Sequence, residues 1–111
     1  MYIFQYGQPS RMALHYAGVE YQNDVYGPGH LDWLATKFTL GMDFPNLPYY
    51  FDGEIKLTQS LAILRFIGKK HNLGGQNALE DAKIDMLIEH INDIKRSLVG
   101  IIYKPDMVSE R

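Results

Sequence analysis

Residues 44–72 read Phe-Pro-Asn-Leu-Pro-Tyr-Tyr-Phe-Asp-Gly-Glu-Ile-Lys-Leu-Thr-Gln-Ser-Leu-Ala-Ile-Leu-Arg-Phe-Ile-Gly-Lys-Lys-His-Asn, and this run decides the fold. Tyr49, Tyr50 and Phe51 are strand formers. Asp52-Gly53 is a pair suited to the positive φ angles of a tight hairpin, and Ile55 and Leu57 alternate with Glu54 and Lys56 on the return. Thr58-Gln59-Ser60 then precedes the helical spacing of Leu61, Ile63, Leu64, Phe66 and Ile67. A hydroxyl thus sits where the first orphan amides of a helix need a cap, and the helix is expected to begin at about Ser60.

Both ends of this unit carry binding chemistry. Pro48 lies just ahead of the first strand, where a missing amide is tolerable and a cis bond is accessible at modest cost. It turns Leu47 outward, so that the Leu47 amide and carbonyl form an edge on which an extended peptide can add itself as a strand. At the other end Gln59 and Ser60 stand at a helix N-terminus, whose free amides and dipole favour a carboxylate. Together they describe a site for a small acidic peptide.

A length of 111 residues suits one domain of ordinary size and excludes a second complete one. Hydrophobic content of 46% with 22% charged residues is that of a soluble globular chain, and a net charge of -2 leaves no electrostatic footprint for nucleic acid. The N-terminus lacks the basic head and apolar run of a secretory signal, and no stretch approaches membrane-spanning length. The expectation is a cytoplasmic protein that binds neither nucleic acid nor membrane. There is no cysteine, which closes thiol–disulfide exchange, so any thiol chemistry must use a ligand's sulfur.

Upstream, Met1 to Tyr6 reads as a strand broken by Gly7. A helix follows, with Pro9 in its first turn, Met12, Ala13, Tyr16 and Ala17 as its apolar face and Gly18 as its stop. Val19 to Tyr26 alternates as a second strand, ended by Gly27-Pro28-Gly29. Leu31 to Phe38 is a short helix that places Trp33 and Lys37 on one face.

Downstream of a linker at Leu73 to Asn77, Ile84, Leu87, Ile88, Ile91, Ile94, Leu98, Ile101 and Ile102 repeat at threes and fours. They make one amphipathic helix from about Leu79 to Tyr103, roughly 38 Å long. That is longer than the preceding domain can cover, so part of the stripe must pack on further helices or on another subunit. Asp81, Asp85, Glu89 and Asp93 recur every four residues with His90 beside Glu89. They read as a solvated acidic face balanced by Lys83, Lys95 and Arg96 rather than as a metal site. His15, His30 and His71 read as surface or packing residues.

Asn46-Leu47-Pro48 followed by Thr58-Gln59-Ser60, with Ala62-Ile63 and Lys70-His71-Asn72 after them, resembles a mu-class glutathione transferase. The likeness covers most of the chain and is most specific between Trp33 and Asn72. It implies an α/β fold: a thioredoxin-like βαβαββα domain over residues 1–74, then over 75–111 a linker and the first long helix of an all-helical domain that is incomplete. It also implies a glutathione site in which Asn46, Leu47 and Pro48 hold the cysteinyl backbone, Gln59 and Ser60 the γ-glutamyl group, and Trp33 and Lys37 the glycyl carboxylate. Asp93 matches the family aspartate that reaches across a homodimer to the neighbour's glutathione, and Tyr103 a tyrosine lining the electrophile pocket. His30 falls where vertebrate members commonly place an arginine, and the loop before Trp33 is shorter than theirs.

The activity so implied is conjugation of glutathione, as co-substrate and with no cofactor, to small hydrophobic electrophiles. An unperturbed thiol of pKa about 8.5 is only a few per cent thiolate at pH 7, so a hydroxyl must donate to the sulfur. The family places a tyrosine for this at the end of its first strand. Two alignments fit here, because the Tyr-Trp and Arg-Gly-Leu that normally separate that tyrosine from the helix are missing. Either some half-dozen loop residues are deleted and Tyr6 is catalytic, which is the expectation here, or the chain begins inside that loop and the family's tyrosine and first strand are lost; the plain alternative for Tyr6 is a packing aromatic. The alternative function is a non-catalytic glutathione-binding or dimer-forming relative, or a partial gene product.

Overall fold

The computed structural model describes residues 6–27 and 31–102. The chain divides into two compact units, Met1–Leu73 and Gly74–Arg111. The first contains α1 (Gln8–Tyr16), α2 (Leu31–Thr36), β1 (Tyr49–Asp52), β2 (Ile55–Thr58) and α3 (Ser60–Lys70); the second contains α4 (Ala78–Ile102).

Pro9 sits in the first turn of α1, where its absent amide costs no helical bond. The helix stops as the pattern at Gly18 requires: Gly18 has φ +72°, and the Val19 amide turns back to the Leu14 carbonyl at 3.0 Å. The expected second strand from Val19 to Tyr26 does not form a ladder among the described residues. Alternation marks a strand only when an edge lies beside it to pair with, and here Glu20, Gln22, Asn23 and Asp24 are exposed to solvent. Most of the expected first strand, Met1 to Gln5, lies outside the described residues. Tyr6 has helical backbone, so it does not end a strand.

β1 and β2 pair antiparallel with Tyr49 opposite Thr58 and Asp52 opposite Ile55. The two turn residues are therefore Gly53 and Glu54, one place on from the Asp52-Gly53 pair expected. Gly53 alone has positive φ, +60°, as a type II′ turn demands of its first central residue. Asp52 is released to the strand, where it accepts from the Tyr50 hydroxyl at 3.0 Å and pairs with Lys70 at the end of α3.

The hairpin has two unlike faces. Tyr50 and Leu57, directly opposite each other, pack with Ala13 and Val19 onto the buried cluster of Leu14, Ile63 and Ile67. Ile67 is fully buried, worth roughly 1.5–3 kcal/mol of apolar transfer. The opposite face carries Tyr49 and Phe51, with ring centroids 4.8 Å apart, and Trp33 of α2 stacks on Tyr49 at 5.9 Å and 20°.

α3 begins at Ser60, as the hydrophobic spacing predicts, but not through a hydroxyl cap. Gln59 occupies the cap position, with φ 71° and no side-chain hydrogen bond to the first turn. The Thr58 hydroxyl donates instead to the Phe44 carbonyl at 2.8 Å. At the other end Asn72 takes φ 60° and the Leu73 amide closes on the Gly68 carbonyl at 2.7 Å.

In the second unit the start of α4 is well capped. Asn77 Oδ1 accepts from the Glu80 amide at 3.0 Å, Glu80 from the Gln76 amide at 2.6 Å and Asp81 from the Gly75 amide at 2.8 Å. A Cβ on Gly75 would lie 2.6 Å from the Asp81 amide, so this close approach needs glycine. None of the 25 residues of α4 is buried. Leu87, Ile91, Ile94 and Leu98 of the amphipathic stripe are all at least half exposed, whereas Ile84 and Ile88 are half-buried. No helix among the described residues is long and apolar enough to cross a membrane. Tyr103 and His30 lie outside the described residues.

Candidate functional site

The hairpin register brings the two candidate binding segments to one place. Because Tyr49 pairs with Thr58, Leu47-Pro48 enters β1 and Gln59-Ser60 leaves β2 at the same end of the ladder. The Leu47–Pro48 peptide is cis. Its expected open edge is half occupied, since the Leu47 amide donates to Asn46 Oδ1 at 2.9 Å. Across from it, α3 presents a first turn that no cap side chain fills, and its dipole adds partial positive charge there. A residue other than glycine at φ 71° and ψ 113° costs on the order of 1–3 kcal/mol, and Gln59 holds that conformation at this junction.

Trp33 is 6% exposed, held edge-on by Tyr26 at 5.2 Å and stacked on Tyr49, the residue after Pro48. Its indole is thus a packing member of the hairpin's second face as well as a neighbour of the candidate site. Lys37, one turn on, is half-buried with its ammonium 5.4 Å from the Phe38 ring centroid. Asp93 is an exposed residue of α4 in the second unit, its carbonyl accepting from Ser97 Oγ at 3.1 Å. Among the described residues no three acidic or histidine side chains gather as a metal site would need.

A cavity of about 1000 Å³ opens between α1, the 19–27 segment and β1. Of the residues expected to bind or react, Tyr6, Leu47 and Pro48 line it, whereas Trp33, Lys37, Gln59 and Ser60 do not. Tyr6 is 46% exposed. Among the described residues the Ser10 hydroxyl has no hydrogen-bond partner, although Ser10 is buried.

The cavity wall adds residues that strand-forming character had hidden. Tyr49 donates to Asp24 Oδ2 at 3.0 Å and shares a 2.7 Å hydrogen bond with the Tyr26 hydroxyl; Gln22 donates to the other Asp24 oxygen at 2.9 Å. Burial first, then the bonds to Tyr26 and Asp24, push the Tyr49 hydroxyl far above the ordinary tyrosine range. Arg11 reaches from α1 to Asn23 and Gln8, both at 3.2 Å. The run Gln22-Asn23-Asp24, too polar for a buried strand, is the signal that marks this wall.

Residues 4–69 match the family described as glutathione S-transferase, N-terminal domain. The chain is 48% identical over 100 residues to a class-mu 26 kDa glutathione S-transferase isozyme of Schistosoma mansoni, covering 89% of this chain and 51% of that protein. It is 42% identical over 104 residues to a glutathione S-transferase of Dermatophagoides pteronyssinus, covering 88% and 48% respectively. Among solved structures it is similar to the glutathione S-transferase Blo t 8, with a TM-score of 0.83 at 35% identity over 95% of this chain and 50% of that one. The chain spans about half the length of the curated relatives it matches. A thioredoxin-like N-terminal domain of helices and a small sheet followed by a long helix is the architecture this likeness carries. With 66 of 111 residues inside the family pattern (4 to 69 inclusive) and the cis Leu47–Pro48 and Gln59-Ser60 at one end of its hairpin, this chain belongs to the glutathione S-transferase family.

Proposed function

We propose that this chain is a mu-class-like glutathione transferase that binds glutathione at the open end of the hairpin and conjugates its thiolate to hydrophobic electrophiles. The observation that carries the reading is the convergence of Leu47-Pro48 with the uncapped first turn of α3 at Gln59-Ser60. In this reading the Leu47 carbonyl and the Asn46-Pro48 turn hold the cysteinyl backbone. The amide and hydroxyl of Ser60 receive the γ-glutamyl carboxylate, with Gln59 beside it. Trp33 and Lys37 hold the glycyl carboxylate, and Tyr6, at the cavity, donates to the sulfur.

Asp93 then serves a neighbour's glutathione in a homodimer, Tyr103 faces the electrophile, and the protein works in the cytoplasm. The linker and helix over 75–111 begin a helical domain that supplies the electrophile wall. The test is glutathione titration followed by turnover of a model electrophile on the same sample.

A second reading, a non-catalytic glutathione-binding relative, draws support from one observation: Tyr6 stands in helical backbone and not at a strand end. Saturable binding without turnover would select it. Absence of binding would remove both.

A further inference from the structure

The second face of the hairpin holds a connected set of oxidisable rings joined to a base. The Trp33 indole stacks on the Tyr49 ring with centroids 5.9 Å apart, and Tyr26 lies 5.2 Å from Trp33 and 6.2 Å from Tyr49. Among the described residues Tyr49 alone of the three is bonded to a carboxylate, Asp24 Oδ2 at 3.0 Å, and Asp24 is solvent-exposed. We propose that this cluster is a radical-transfer site, in which one-electron oxidation of Trp33 passes to Tyr49 and the phenolic proton passes to Asp24.

The chemistry follows from the donor set. A phenol is hard to oxidise while it keeps its proton and much easier when a hydrogen-bonded base takes the proton as the electron leaves. The indole has no such need, so Trp33 gives up the first electron. A peroxyl radical that takes it becomes a hydroperoxide anion, which solvent protonates. The indole radical cation then recovers an electron from Tyr49, whose O–H bond breaks, leaving a neutral tyrosyl radical and a protonated Asp24. Asp24 returns that proton to water. The sum is transfer of one hydrogen atom from Tyr49 to the peroxyl radical, giving the hydroperoxide.

Two further observations support the direction of flow. The chain has no cysteine, so no thiol of its own competes as the final sink. Trp33 is its single tryptophan and is 6% exposed, where an oxidised ring would disrupt the packing of the hairpin face. Moving the radical to half-buried Tyr49 takes it to a group from which a diffusing reductant can remove it.

The test is flash photolysis of the whole chain with an external one-electron photo-oxidant, following the broad tryptophanyl and the sharp tyrosyl absorptions separately. The parent should convert tryptophanyl to tyrosyl signal. Tyr49→Phe, which keeps the stacked ring, should prolong the tryptophanyl signal severalfold and raise ring-opened oxidation products at Trp33 severalfold. Asp24→Asn, which keeps a hydrogen-bonding side chain but no base, should slow the conversion without changing Trp33 burial. A Tyr49→Phe decay equal to the parent's would overturn the assignment of Tyr49. If that variant does not fold, Asp24→Asn carries the test alone, and a conversion rate equal to the parent's removes the proposal.

Discussion

The Thr58 hydroxyl donates to the carbonyl of Phe44 across 2.8 Å, fastening the loop that leads into Leu47-Pro48 to the strand that leads out to Gln59-Ser60. The two halves of the proposed glutathione site are therefore tied together by a side chain that belongs to neither. Thr58→Val keeps the shape and removes the donor. It should cost about 0.5–1.5 kcal/mol of stability in urea unfolding and weaken glutathione binding severalfold by calorimetry. Equal affinity in a folded variant would mean the loop is positioned by other contacts.

Gln59 and Ser60 separate binding from stability. Ser60→Ala should weaken glutathione binding by about 1–3 kcal/mol, the range for a charge-assisted hydrogen bond. Gln59→Gly should do the opposite to the fold, raising stability by about 1 kcal/mol because glycine accepts φ 71° without strain. If both variants bind glutathione like the parent, the carboxylate does not sit at the start of α3.

Tyr6→Phe addresses the thiolate. With Tyr6 as the donor to sulfur, the variant should lose the thiolate absorbance of bound glutathione at neutral pH while binding it nearly as well. An unchanged thiolate titration assigns the role elsewhere.

Asp52 links acid stability to the hairpin turn. Its hydrogen bonds from Lys70, then from Tyr50, hold its carboxyl below the usual carboxylate range. A carboxyl lowered on folding stabilises the native state above its unfolded pKa of about 3.9, and that contribution is lost as pH falls through the lower folded value. Asp52→Asn should therefore unfold at lower urea than the parent at pH 7, and the gap should close below about pH 4. A gap independent of pH would show that the carboxylate charge contributes nothing.

How far these features could be read from the residues depended on whether the deciding interaction was local. Ile63 and Ile67 announce a buried helix face by spacing alone, and with Leu14 they form the buried cluster. The hairpin was equally plain, but its turn moved by one residue because both Asp52-Gly53 and Gly53-Glu54 are good turn pairs, and only the cross-strand register chooses. Val19 to Tyr26 had the alternation of a strand without a described edge to complete it. The positive φ of Gln59 and the grip of Thr58 on Phe44 are tertiary, and no pattern in Thr58-Gln59-Ser60 distinguishes them from an ordinary serine cap. The hydroxyl link between Tyr26 and Tyr49 spans 23 residues and has no local signature.

The exposed stripe of α4 should make this chain self-associate. Leu87, Ile91, Ile94 and Leu98 present a continuous apolar surface, of the kind that drives association in water. Sedimentation should find dimers or larger species, and Ile91→Glu with Leu98→Glu should shift them to monomer. A parent that sediments as a monomer at high concentration would remove the stripe as an interface.

The stacking of Trp33 on Tyr49 also gives the molecule a built-in optical reporter. The single tryptophan lies in the first unit, shielded from water and within energy-transfer range of two tyrosines, so its emission should be blue-shifted and excitable through them. The second unit has no tryptophan but carries α4, the longest helix among the described residues. Fluorescence therefore watches the hairpin unit, while far-ultraviolet circular dichroism is weighted toward α4. Melting followed by both signals at once asks whether the two units lose their structure as one cooperative body or one after the other.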